Sequence, residues 1–234
     1  MKRRLETGVA LMAVVKADAY GHGALPCARA AVQAGADCLG VGILAEGAEL
    51  REGGLKTPIQ VLGSIFPEEI EDLIHFGLST TVCTTSLLSS LAHGARRKNR
   101  QIGVHLKVDT GMGRLGVAPD KLPDLVDRVR LEKSLRLESV FTHFATADEA
   151  DPEFTRLQIE RFKNTLLQLQ RSGVHVPAVH AANSSALLRF PESHFTMVRP
   201  GLLLYGAFPS PAVAATQKPA PGQGPGAPWK PVMR

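Results

Sequence analysis

Lys16 is the residue around which chemistry could gather. It follows an apolar run, Val9 to Val15, that reads as a strand covered on both faces, and it opens a turn of small residues carrying Tyr20. A lysine at the mouth of a buried strand meets low-dielectric surroundings, which favour the neutral amine that forms an imine with a carbonyl. The same lysine could also extend its ammonium into water and do nothing. The other strand ends have to decide.

The elements that would position such groups alternate regularly. Gly23 to Gly35 carries Leu25, Ala28, Ala31 and Val32 at helical spacing, with Gly35 as the stop. Further strands are expected at 38–44, 59–62, 80–83, 102–108, 135–144, 176–179 and 196–198, with helices between most of them. Pro67-Glu68-Glu69 opens one helix with a first-turn proline and acidic company. Asp151 caps, and Pro152 opens, a long amphipathic helix that ends at Gly173. About eight strands with intervening helices predict an α/β fold, a parallel (β/α)₈ TIM-type barrel over residues 1–206. A Pro/Gly/Ala-rich irregular linker is expected over 207–228, and a strand-like pattern resumes over 229–234.

In such a barrel the carboxyl ends of the strands face the active site. The first strand offers Lys16 and Tyr20, and the fifth offers Lys107, Asp109 and a loop with Arg114. The sixth offers Thr142 and His143, the seventh His180, Asn183 and Ser184, and the eighth Arg199 and Gly201. An imine-forming lysine, hydroxyls and glycine backbone near the last two strands, and nearby cations suit a phosphorylated aldehyde cofactor such as pyridoxal 5'-phosphate (PLP). An aldolase-type barrel that uses Lys16 for another imine satisfies the same residues.

Five segments then narrow the choice. Val15-Lys16-Ala17-Asp18-Ala19-Tyr20-Gly21-His22-Gly23 resembles the PLP-lysine signature of the alanine racemase family, with Asp18 where the family often has Asn. Lys107 to Gly116, Thr142-His143-Phe144-Ala145, His180-Ala181-Ala182-Asn183-Ser184 and Val198-Arg199-Pro200-Gly201 are similar to further family motifs, in family order. The resemblance implies that Lys16 carries PLP and is one of two acid/base groups at the substrate Cα. It assigns the phosphate to Tyr20, Ser184, Gly201 and Leu202, with Asn183 beside them. Arg199 would face the pyridine nitrogen, His143 would support Arg199, and Arg114 would lie near the phenolic oxygen. Lys107 matches a lysine that some members carbamylate. The implied activity is interconversion of L- and D-alanine, a D-alanine supply for peptidoglycan, by a homodimer when full length. A racemase of broader substrate range, or a single-barrel PLP-binding protein without turnover, is the alternative.

The family's second acid/base is a tyrosine from a C-terminal β-domain. Two faces need two groups, because a single base tends to return its proton to the side it came from. Here the tyrosines are Tyr20, matched to phosphate, and Tyr205, expected in a last barrel strand, Leu203 to Gly206. Trp229 to Met233 resembles the entry to that β-domain, so the chain is expected to stop as it begins and to racemise alanine weakly.

Composition excludes other classes. Aromatics make up 5%, too few for a stacking surface for nucleic acid, and the basic residues behind the net charge of +5 are scattered. Cys27, Cys38 and Cys83 lack zinc or disulfide spacing, so no metal is expected and a reducing, cytoplasmic setting is. No run is long enough to span a bilayer. The N-terminus imitates a signal peptide, but Glu6 and Lys16 interrupt the pattern.

Overall fold

The computed structural model describes residues 1–2 and 5–216. Eight parallel strands close in chain order: β1 Ala10–Val14, β2 Cys38–Val41, β3 Ile59–Val61, β4 Ser79–Val82, β5 Ile102–Lys107, β6 Leu135–Phe141, β7 Ala178–His180 and β8 Met197–Val198. The closure is β1 against β8, with Ala10 opposite Met197 and Leu11 opposite Val198. The expected (β/α)₈ barrel is therefore the fold. The apolar runs follow from it: a parallel strand is covered by helices outside and by the barrel interior inside, so all six residues of β5 are buried.

Outside the barrel the core is mostly aliphatic, with Leu39, Leu50, Leu73, Leu91, Leu106 and Leu122 among the buried side chains. The interior is different. Gln60, Thr81, His105, Lys107, Ser139 and His180 are buried strand residues, joined by Arg199 just past β8. Such a polar interior departs from the branched aliphatic filling usual in these barrels.

Three elements differ from expectation. Tyr205 lies in no strand; Leu202–Tyr205 is a 3₁₀ turn, because Gly201 turns the backbone aside once β8 has paired with β1. A helix, Ser184–Arg189, follows β7 where none was expected, capped by the Asn183 side chain on the Ala186 amide. Within the stretch expected to be irregular, Pro211–Ala215 is a short helix capped by Ser210, with Val213 fully buried. The expected linker beyond residue 216 and the strand-like pattern of 229–234 lie outside the described residues.

Candidate active site

The turn after β1 sets the site's geometry. Ala17, Asp18, Ala19 and Tyr20 all have φ between 50° and 56°, one left-handed turn of residues that prefer the opposite hand. Carboxylates hold it there. Glu46 accepts the Ala17 amide at 2.7 Å and the Gly42 amide at 2.6 Å, so it ties the turn to the end of β2. Asp18 accepts the Ala24 amide at 2.6 Å and joins the turn to the helix Ala24–Gln33. Lys16 immediately precedes this left-handed run. Its side chain is exposed at the rim of the mouth, not embedded in the low-dielectric setting expected for it.

The buried lysine is Lys107, at the end of β5. It is 4% exposed, and burial followed by the nearby Arg114 and Arg199 cations lowers its pKa from 10.5 to about 8. Lys107 and Arg199 both lie over the Phe141 ring, at 5.7 and 5.3 Å from its centroid.

Arg199 is 5% exposed, and both of its terminal nitrogens are hydrogen-bonded. One terminal nitrogen donates to His180 Nδ1 at 2.7 Å. The other donates to the carbonyls of Thr142 at 2.9 Å and Ala181 at 3.2 Å, and lies 3.3 Å from His143 Nδ1. Burial lowers its pKa to about 9, which leaves a cation at neutral pH. His143 is held neutral, with its pKa pushed to about 3 by burial and then by Arg199, Lys107, Arg114 and Lys16. The sequence assigned support of Arg199 to His143 alone; the shorter contact belongs to His180.

At the ends of β7 and β8 the arrangement suits an anion. Ser184 Oγ accepts the amides of Gly201 at 2.9 Å and Leu203 at 3.3 Å, which leaves its hydroxyl proton for an oxygen outside the protein. The Tyr20 hydroxyl approaches so closely that a Cβ on Gly201 would sit 2.4 Å from it, so only glycine fits there. Asn183 spends its side-chain oxygen on the helix cap, although it still faces the same space.

These groups enclose a cleft of about 280 Å³ at the carboxyl ends of the strands, lined by Lys16, Tyr20, Lys107, Arg114, His143, Asn183, Ser184, Arg199, Gly201 and Leu202, whereas the strand-end candidates Asp109, Thr142 and His180 lie outside its lining. Four lysine and arginine side chains face a single carboxylate there, Asp148. That balance draws an anionic ligand.

Two positioning residues carried no motif in the sequence. Glu46 is one. Gln158, buried in the helix Glu153–Arg171, is the other: its oxygen accepts the Ala145 amide at 2.9 Å, and its nitrogen donates to Thr110 Oγ1 and the His143 carbonyl, both at 3.2 Å. It pins the loops bearing Arg114 and His143 to one helix. Asp109 shapes the first of these loops by accepting the amides of Gly111, Met112 and Gly113. Its pKa is lowered: burial alone would raise it, and the three amides outweigh that effect.

Tyr205 is excluded from the reacting groups. Its hydroxyl is buried and donates to the Val14 carbonyl at 3.1 Å, and burial pushes its pKa well above the ordinary phenol value. Among the described residues no cluster of metal-ligating side chains occurs, and no helix is long and apolar enough to cross a membrane.

Comparison with known proteins agrees with the geometry. The family described as "Alanine racemase, N-terminal domain" matches residues 1–209. The alanine racemase of Desulforamulus reducens is 46% identical over 202 residues, 86% of this chain and 54% of that protein. That of Carboxydothermus hydrogenoformans is 43% identical over 93% of this chain and 60% of that one. The chain thus spans little more than half the length of these curated relatives. Among solved structures, the alanine racemase of Clostridium difficile 630 in complex with cycloserine superimposes with a TM-score of 0.88 at 36% identity, over 90% of this chain and 58% of that one. The Bacillus anthracis alanine racemase with bound L-Ala-P gives 0.85 at 35% identity, over 91% and 55%. The chain belongs to the alanine racemase family, of which it carries the N-terminal barrel domain.

Proposed function

We propose that this barrel binds PLP and serves an alanine racemase that interconverts L- and D-alanine, supplying D-alanine for peptidoglycan. The observation that carries the reading is the gathering of Lys16, Tyr20, Ser184 and Arg199 in one cationic cleft. The donor set fits the cofactor: a hydroxyl pair beside a glycine suits its phosphate, an exposed amine suits its aldehyde, and a permanent cation suits its pyridine nitrogen. When bound, PLP supplies an electron sink that makes the amino acid Cα–H acidic.

The chain's own residues do the rest. Lys16 presents its amine on the left-handed turn and holds or gives the Cα proton on one face of the substrate. Ser184 and Tyr20 fix the phosphate end and so set which face Lys16 meets. Arg199, anchored by His180 and two carbonyls, brings positive charge rather than a transferable proton to the ring nitrogen. Arg114, which lines the same cleft, would lie toward the phenolic oxygen, and Lys107, easily neutralised, is suited to carbamylation. A second acid/base is needed on the opposite face, and Tyr205 cannot supply it. We therefore place that group on a residue outside this barrel, contributed within a homodimer. The spacing of the three cysteines, which suits neither a zinc site nor a disulfide framework, supports a cytoplasmic location.

The test is retention of PLP absorbance through gel filtration, followed by borohydride fixation and mass spectrometry. Label on Lys16, with loss of retention in Lys16→Ala, is the expected result. Racemisation of alanine by longer chains of this sequence should fall by at least about 10²-fold in that variant. Cofactor held as firmly by Lys16→Ala would overturn the assignment. Turnover of serine or lysine at rates equal to alanine would point to a broader racemase.

A further inference from the structure

Behind Arg199 the polar groups of the interior form a single line. Arg199 donates to His180 Nδ1, and His180 Nε2 lies 2.8 Å from Ser139 Oγ. Ser139 Oγ lies 2.7 Å from His105 Nδ1, and His105 Nε2 lies 2.9 Å from Ser79 Oγ, which donates to the Ile59 carbonyl at 3.1 Å. One residue from each of β7, β6, β5, β4 and β3 takes part, in strand order around the barrel.

The ends of this line fix its direction. A guanidinium can only donate and a carbonyl can only accept. His180 Nδ1 must then be the acceptor, which puts the His180 proton on Nε2. Ser139 accepts that proton and gives its own to His105 Nδ1, so His105 also carries its proton on Nε2. Ser79 accepts it and donates onward. Each link uses its single proton once, and the reverse order has no donor to start it.

The backbone is bent to allow this. The β5–β6 register runs Val104 opposite Leu137 and then shifts so that His105 meets Ser139, skipping Glu138. Bulges of this kind re-aim side chains. Without the shift His105 would lie opposite a carboxylate instead of a hydroxyl.

We propose that Ser139, His105 and Ser79 are positioning residues that hold Arg199 through neutral histidines of fixed tautomer. None of the three lines the cleft. Every dipole in the column presents its negative end toward Arg199, so the links polarise one another and fasten the guanidinium in a buried site. A second proton on His180 would face the Arg199 donor at 2.7 Å, and one on His105 would face the Ser139 hydroxyl proton. Burial already pushes the pKa of His105 to about 3 and that of His180 well below its ordinary value.

The inference uses the proposed function only in taking Arg199 as the cofactor's partner, and the first readout needs no activity. Nitrogen-15 NMR of protein labelled at histidine and arginine is recorded for wild type, Ser139→Ala and Ser139→Thr. In wild type between pH 5.5 and 8, His105 and His180 should stay neutral with the proton on Nε2, and the Arg199 terminal N–H signals should be resolved by hindered rotation. Ser139→Thr should preserve the pattern. Ser139→Ala, with an unchanged circular dichroism spectrum, should free His105 to titrate or change tautomer and release Arg199 rotation. In PLP-loaded longer chains that variant should lose kcat by roughly 10- to 100-fold at unchanged KM. A His105 proton on Nδ1 in wild type, or an Arg199 as hindered in Ser139→Ala as in wild type, would overturn the column. Intact NMR behaviour in a protein that fails to retain PLP would support the column and sink the proposed function instead.

Discussion

Lys16 and Lys107 share a cleft but not an environment. Lys16 is exposed on the turn after β1, whereas Lys107 is buried against the Phe141 ring with Arg114 and Arg199 near it. A lysine whose folded pKa is about 8 against 10.5 unfolded binds fewer protons when folded between those values. Its contribution therefore makes stability rise with pH from about 8 to 10.5. Carbon-13 NMR of lysine labelled at Cε should show Lys107 titrating near pH 8, and Lys107→Met should flatten that part of the stability profile. A Lys107 midpoint at or above 10 would contradict the burial argument. The motifs made both lysines visible in the sequence, but not which was buried. One residue past a strand end can face either way.

Elements position the site through side chains that sequence motifs do not advertise. Gln158 uses both ends of its amide to fasten the loops after β5 and β6, so Gln158→Ala leaves the Ala145 amide and the His143 carbonyl without this partner. The cost should be about 1–3 kcal/mol per group left unsatisfied, read by urea denaturation. Hydrogen exchange at Ala145 should accelerate at the same time, and an unchanged Ala145 rate would refute the pinning. The alternation of strands and helices was legible because parallel strands buried on both faces are continuous apolar runs. The 3₁₀ turn at Leu202–Tyr205 was not legible, because Leu203-Leu204-Tyr205 has a strand's composition and only the closure of β1 on β8 ends the sheet before it. Glu46 and Gln158 were hidden for a related reason: a polar residue on a helix looks like solvent-facing surface until the fold turns it inward.

At the scale of the whole barrel, an aliphatic jacket surrounds a polar interior, and acid is the condition that separates them. His105 and His143 have folded pKa values near 3 against 6.5 unfolded, and His180 is lowered too. The unfolded chain then binds more protons between pH 3 and 6.5, so stability is complete above about 6.5 and falls as the pH drops through that window. Thermal unfolding followed from pH 7.5 to 4 should show Tm falling steadily below about 6.5. A flat Tm over that range would mean that the interior histidines are not held neutral.

The left-handed turn has one more consequence, concerning chirality. Ala17 sits at φ 52° and ψ 54°, where an L-residue is penalised by about 1–2 kcal/mol and its mirror image is at rest. Glycine at this position would relieve the penalty but loosen the unfolded chain, so the two effects largely cancel. D-alanine, introduced at position 17 by semisynthesis, would remove the strain without that loss and should raise stability by about the same 1–2 kcal/mol. Beside the lysine proposed to work on one face of alanine, the backbone already follows the path that a D-residue prefers.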